Sequence, residues 1–281
     1  MSVNVNTIRR SALKLVTAYI PLLFASLFFL LPVFVMLNTG LKSFAEVKIQ
    51  EMWALPRHLT FEGFLAAFVR LLPNIRNSFF VTLPASVLSA AIGSVNGYIF
   101  TKWKFKGSNT VFTLMLFGMF IPLQSILIPL VAVLKSIGLY GSIPGLILAH
   151  VVYGIPLTTL IFRNYYVDIP DSLVEASCMD GLEILQTYRR IILPLSGPAF
   201  VVVLIWQFTS IWNEFLFSLV ITQDPNVQPI NVALANMAGS YYVEWNIQMA
   251  GALIAGIPTL LVYIFLGKFL IRGLLAGSVK A

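Results

Sequence analysis

Charge is scarce in this sequence. Of 281 residues only 10% are Asp, Glu, Lys or Arg, while 58% are hydrophobic, which leaves too little polar surface to clothe a water-soluble domain. Residues 15–37 carry no charge at all, a run matched to hydrocarbon rather than to water. Cysteine is scarcer still: Cys178 is the only one, which excludes an intrachain disulfide and a cysteine-cluster metal site. There are two histidines, no His-Glu-x-x-His and no Gly-x-Ser-x-Gly, so neither a zinc hydrolase nor a serine hydrolase has its parts. No Gly-x-x-x-x-Gly-Lys-Ser/Thr occurs either; the nearest fragment, FLGKFL, lacks the upstream glycine and the hydroxyl residue and sits in an apolar run. Any nucleotide-driven work must be done by another polypeptide, and no cofactor is expected on this one.

What is present is a series of apolar runs. Six approach the ~20 residues that cross hydrocarbon: roughly 15–37, 78–101, 110–134, 143–163, 197–221 and 247–271. They predict an all-α, polytopic membrane protein of six transmembrane helices, one domain over 1–281. Pro21, Pro32, Pro84, Pro122, Pro129, Pro156 and Pro258 fall inside these runs; neighbouring helices can re-satisfy the backbone groups that proline frees, so kinks rather than breaks are expected. Small residues in SVLSAAIGSVNGY and GALIAGIP suit close helix approach. The first run follows Arg9, Arg10 and Lys14 without a small-residue cleavage pattern and reads as a retained anchor.

The 18 Lys and Arg lie between the runs rather than in an aromatic-studded patch, so no nucleic-acid partner is expected. They do bias orientation. With the N-terminus inside, Arg9, Arg10, Lys14, Lys102, Lys104, Lys106, Arg163, Arg189, Arg190, Lys268, Arg272 and Lys280 are inner, against Lys42, Lys48, Arg57, Arg70, Arg76 and Lys135 outside. Twelve against six predicts cytoplasmic N- and C-termini. Two outer loops follow. In 41–77, Phe61, Phe64, Leu65, Phe68 and Leu72 recur at helical spacing behind Thr60 as N-cap, predicting an amphipathic helix at the membrane surface. The other, 222–246, is polar and turn-rich at first and has no Lys or Arg. Each either meets an external partner or caps the bundle.

The inner loop 164–196 concentrates Asp168, Asp171, Glu175, Asp180 and Glu183, five of the eleven acidic residues. Ser172 and Glu175 stand at capping-box spacing behind Pro170, so a helix is expected to begin there. After Gly181 the set Ile184, Leu185, Tyr188, Ile191 and Ile192 predicts a second amphipathic helix ending before Pro194. An acidic start argues against anionic lipid as its partner and favours docking into a protein.

Within it, Glu175, Ala176, Gly181, Ile191, Leu193 and Pro194 carry a recognisable pattern: E-A-A, three residues, G, nine residues, I-x-L-P, with Ser177 in place of the second alanine and with Asp180 and Tyr188 at its unspecified positions. This resembles the signature loop of permease subunits in bacterial ATP-binding-cassette importers. The WNEF at 212–215 and the closing GLLAGSVKA resemble the carbohydrate branch, similar to the shorter permease of the maltose system, and VNGYIFTKWKFKG and FRNYYVDIP resemble importers of glucose-like monosaccharides. The resemblance implies the importer permease fold in the bacterial inner membrane and a second permease subunit. It also implies a cytoplasmic ATPase dimer that holds the ATP and takes the two short helices in a cleft, and an extracytoplasmic sugar-binding protein. Gly181 would permit a tight crossing of those helices, and Ser177 adds a hydroxyl that needs a partner.

Polar groups inside spans are costly, and a mid-bilayer charge costs roughly 3 kcal/mol on insertion scales. Glu214 is the acidic residue well inside a run, with Asn213 beside it. It is expected to face the bundle interior, hydrogen-bonding a solute, pairing across a subunit interface or binding backbone. Gln207, and less so Gln124, Asn96 and His150, are candidates of the same kind. The competing function is a secondary transporter in which Glu214 couples a proton or ion, although such folds usually show internal repeats.

Overall fold

The computed structural model describes the backbone of residues 5–103, 105–239 and 243–276, and the side chains of 17, 19–48, 50–103, 105–239 and 243–269. The side chains of Arg9, Arg10, Lys14, Lys104, Arg272 and Lys280 and the last residues of the closing motif lie outside these.

The regular structure of the described residues is all helical, with no strand. Four helices are long and apolar enough to cross a membrane, and up to six if each of two bent helix pairs is one span. They are α1 (Val5–Gly40), α2 (Glu62–Lys102), α5 (Ile143–Val167) and α12 (Trp245–Ala276). The bent pairs involve α3 (Ser108–Phe117) with α4 (Leu123–Ser136), and α9 (Gly197–Asn213) with the segment before it.

Two sequence expectations need correction here. The run 110–134 is not a kinked rod: α3 and its terminal turn meet α4 at 104°. Pro122 caps α4, and Ile121 before it is extended (φ −72°, ψ 122°), the conformation that a following proline enforces. The other prolines behave as expected, lying inside continuous helices. The second correction concerns 60–77, which is not a separate surface helix. It is the first part of the 41-residue α2, started by Thr60, whose hydroxyl accepts the Glu62 N–H at 3.2 Å.

The chain divides into two compact units, one of Met1–Arg70 with Met237–Ile254, the other of Leu71–Asn236 with Ala255–Ala281. In the first, the segment after α1 is tied down by polar bonds: Asn38 Nδ2 donates to the Met52 and Ala54 carbonyls at 3.0 and 2.8 Å, and Lys42 Nζ to the Glu51 carbonyl at 2.9 Å. Its small core joins Ala67, Ile247 and Ala250, and Arg70 pairs with Glu244 at 2.5 Å.

In the second unit α2 and α5 touch backbone to backbone. A Cβ on Gly93 would fall 2.2 Å from Thr158 Oγ1, and one on Gly97 would fall 2.8 Å from Phe162 Cβ, so the small residues of SVLSAAIGSVNGY are the contact. Thr158 Oγ1 donates to the Ser89 carbonyl at 3.0 Å across that seam. Two buried clusters follow along the bundle. One joins Tyr98, Phe162, Tyr166, Val174, Tyr188 and Ile192; the other joins Val81, Ala85, Leu146, Ile211, Phe217 and Ile221.

Candidate functional site

The acidic loop folds into an elbow of two arms. The first is α6 (Asp171–Met179); the second runs without interruption from α7 (Ile184–Thr187) through α8 (Leu193–Leu195). Gly181 between them has φ +78°, a left-handed conformation that costs residues with a Cβ ~1–2 kcal/mol. The expected hinge is therefore there, but for a different reason: a Cβ on Gly181 would meet nothing within 4 Å, so backbone shape, not a tight crossing, demands glycine. Neither Ser172 nor Glu175 forms the expected capping box. Pro170 is the N-cap and no side chain bonds there; instead Glu183 N–H donates to Gln186 Oε1 at 3.1 Å, opening the second arm. That arm also passes through Pro194. Pro194 has no N–H to give the Arg190 carbonyl, and the ladder widens to a π-turn over Tyr188–Ile192, in which Leu193 N–H reaches back to the Tyr188 carbonyl.

The arms divide their residues between two faces. Ser177, Thr187, Tyr188 and Ile192 are buried, while Glu175, Ala176, Asp180, Glu183, Leu193 and Pro194 are exposed and Ile191 is half-buried. Leu173, Ile184 and Leu185 are also exposed, and Met179 at the tip is 89% exposed. Inward groups brace the elbow. Ser177 Oγ donates to the Val174 carbonyl at 2.6 Å and lies 2.9 Å from Thr187 Oγ1, so the hydroxyl that replaces alanine finds partners on both arms. Lys102, at the end of α2, is buried along its side chain, yet its Nζ reaches the Ile169 carbonyl and Asp171 Oδ1, each at 2.5 Å. Tyr98 donates to the Ile184 carbonyl at 3.2 Å and its ring lies 5.5 Å from that of Tyr188.

The second candidate constellation lies where α9 ends. Asn213 is its last residue, and Glu214 and Phe215 separate it from α10 (Leu216–Ile221), so the run 197–221 is broken rather than a single helix. The Glu214 carboxylate accepts the N–H of Phe217 at 2.8 Å and of Ser218 at 3.3 Å, capping α10. One oxygen is 3.9 Å from Nε2 of the buried His150. Gln207 is likewise used internally: it donates to Ser89 Oγ at 2.9 Å, at a spot where a Cβ on Gly154 would collide. Asn96 reaches Thr159 Oγ1 at 3.5 Å, and Gln124 is exposed. What α9 leaves uncovered is a neutral stripe, Trp206, Ser210 and Asn213, one turn apart. Trp206 and Ser210 line a cavity of about 320 Å³ with Tyr153, Met119 and Gln207.

Sequence reasoning missed Lys102, Tyr98, Thr187 and Trp206. Lys102 read as an orientation signal and Trp206 as one more apolar residue; only the glycine-lined seam that brings α2 against α5 marks where a buried cation and hydroxyls find carbonyls.

Helices long and apolar enough to cross a membrane, with no strand among the described residues, define a helical membrane protein as a class. Residues 91–275 match the family described as binding-protein-dependent transport system inner membrane component, and the chain belongs to that family. It is similar to the glucose import system permease protein GlcU of Saccharolobus solfataricus, 32% identical over 95% of this chain and 96% of that one. It is also similar to the xylose/arabinose import permease protein XacI of Haloferax volcanii, 33% identical over 93% and 92%. A probable ABC transporter permease protein of Pyrococcus horikoshii is 55% identical over 62% of this chain; the alignment spans 63% of that relative's length. The fold superposes on a chain of a bacterial ABC transporter that imports alginate with a TM-score of 0.76 at 20% identity, covering 95% of this chain and 99% of that one.

Proposed function

We propose that this chain is one of two permeases of an ATP-driven sugar importer, and that the Asp171–Leu195 elbow is the surface gripped by a cytoplasmic ATPase dimer. The elbow carries the reading. Its outward face combines apolar side chains, Leu173, Met179, Ile184 and Leu185, with Glu175, Asp180 and Glu183, which suits an apolar cleft with a basic rim. A contact equal in two states shifts nothing, so the cleft must hold the elbow differently with and without nucleotide. ATP stays on that partner; this chain binds no cofactor. An external binding protein delivers the solute, and the termini lie on the elbow's side of the membrane.

For the solute, a monosaccharide of the glucose class fits best. The relatives are named for glucose and for xylose/arabinose import, and the α9 stripe offers an indole face, a hydroxyl and an amide without charge, groups that stack on and hydrogen-bond an uncharged polyol. Asn213 and Trp206 then form the pathway wall, while Glu214 and Gln207 hold that wall in shape.

The only cysteine supplies a direct test, because Cys178 is exposed on the elbow. A membrane-impermeant thiol reagent is expected to label it in inside-out vesicles and not in intact cells; labelling of intact cells overturns the docking assignment. In proteoliposomes holding the full complex, D-glucose uptake is expected to require ATP and the binding protein, and Glu175→Lys to lower it at least tenfold with normal membrane levels. Uptake by this chain alone, driven by a proton gradient, would instead make it a carrier.

A further inference from the structure

Where the second arm of the elbow meets the spans, four buried hydroxyls form a line. Ser94 Oγ on α2 lies 2.8 Å from Tyr188 Oη in the π-turn and 2.6 Å from Tyr166 Oη on α5; Tyr166 Oη lies 2.9 Å from Ser196 Oγ, and Ser196 donates to the Ile192 carbonyl at 2.5 Å. Ser94, Tyr166 and Ser196 are fully buried and Tyr188 nearly so.

The direction of this line follows from proton count. A hydroxyl has one proton. Ser196 spends its proton on Ile192, so it must accept from Tyr166; Tyr166 must then accept from Ser94, and Ser94 from Tyr188. The result is a directed chain, Tyr188 to Ser94 to Tyr166 to Ser196 to the Ile192 carbonyl, in which every proton is used and each bond polarises the next. It begins and ends on the π-turn, having crossed α2 and α5 on the way. Ser196 N–H bonds the Leu193 carbonyl at 3.1 Å, three residues back, and the Ser196 hydroxyl takes the Ile192 carbonyl, four residues back.

We infer that this hydroxyl chain is the joint that transmits motion of the elbow to α2, α5 and α9, so that Ser94 and Tyr166 are positioning residues for ATP-coupled gating rather than packing alone. The inference rests on the proposed function and deepens it. The apolar side chains around the joint, Val174, Ile192 and Phe162 of one buried cluster among them, carry no directional bond, whereas a directed chain with no spare proton holds one register. Loss of one hydroxyl leaves the elbow docked but lets it move without the spans.

The test uses the full complex, with Cys178→Ser and a reporter Ser210→Cys on the exposed stripe of α9. The measured quantities are ATP hydrolysis and the ratio of maleimide labelling rates at the reporter with and without vanadate-trapped nucleotide. The parent is expected to show a ratio change of about tenfold or more. Ser94→Ala and Tyr166→Phe are expected to keep hydrolysis within about twofold while the labelling change shrinks below about threefold, and Ser94→Thr, which restores the hydroxyl, to recover it. Hydrolysis and labelling change falling together, or both staying at the parent level, overturn the joint. If the native chain brings down no ATPase, the proposed function fails first and the joint with it.

Discussion

The elbow and the α9–α10 break are both interruptions of a greasy helical chain, and they spend their charge in opposite ways. At the break, Glu214 turns inward and its carboxylate is consumed by the Phe217 and Ser218 N–H groups, the price of unwinding a span where no water can satisfy backbone. At the elbow the backbone is satisfied from behind, by Lys102, Tyr98 and the Glu183–Gln186 capping box, which leaves Glu175 and Asp180 facing out. An acidic residue that completes its own fold has little left for a partner; one whose neighbourhood is already complete is available. By that measure the elbow suits the docking surface proposed for it and the break suits scaffold.

Changes that spoil the bracket should therefore cost more than changes at the break. The largest effect is expected at Gly181. With φ +78° and open space around it, Gly181→Val pays backbone strain of at least ~1–2 kcal/mol and swings Met179 away from the second arm. ATP-coupled uptake should fall more than tenfold at unchanged membrane levels, with Gly181→Ala losing less and Gly181→Asn least, since asparagine tolerates left-handed backbone. Equal losses for valine and asparagine would show that space, not φ, matters. Next comes Lys102→Met, which keeps the buried stem but strips two acceptors of their donor. An orphaned carbonyl costs ~1–3 kcal/mol, so α6 should lift from the end of α2, faster amide exchange over 168–182 should follow, and ATPase affinity should drop about tenfold.

Much of this bracket was readable without a structure, and the reason is local. The hinge, the two arms and the hydroxyl demand of Ser177 depend on neighbours a few residues away, as does the apolar period of the spans. The capping assignment at Ser172 failed because Pro170 fills the cap and long-range donation from Lys102 secures the preceding turn. The stop at Pro194 failed because a helix can widen past a missing donor. The role of Glu214 was left among three alternatives because choosing required knowing that α9 ends one residue earlier. The hydroxyl chain was invisible: Ser94, Tyr166 and Ser196 are distant in sequence, and nothing in their spacing announces a common point.

Glu214→Gln sharpens the other side of the comparison. The amide oxygen keeps an acceptor for the Phe217 N–H, but the NH2 that replaces the second oxygen cannot accept the Ser218 N–H, so charge assistance and the longer of the two bonds are lost, a difference of ~1–3 kcal/mol. Uptake by the complex should stay within about threefold and remain insensitive to a protonophore, whereas Glu214→Ala, which uncaps α10, should lose more. A carrier that moved protons through Glu214 would be abolished by the glutamine variant.

The smallest effect is expected from Ser177→Ala, which places the family's usual alanine in the elbow. The Ser177 hydroxyl bridges the Val174 carbonyl and Thr187 Oγ1, but neither partner is stranded by its loss. The Val174 carbonyl has a position in the α6 ladder, and Thr187 can turn its hydroxyl to the carbonyl four residues back, as threonine commonly does in helices. The cost should stay within ~1 kcal/mol, seen as a melting shift of a few degrees at most and uptake within twofold. Ser177→Leu behaves differently, because Ser177 is 1% exposed and a larger side chain must push the arms apart; overpacking costs ~1–3 kcal/mol. If alanine and leucine fail alike, the hydroxyl rather than the fit of the arms holds the elbow closed, and the bracket is a polar lock instead of a packed one.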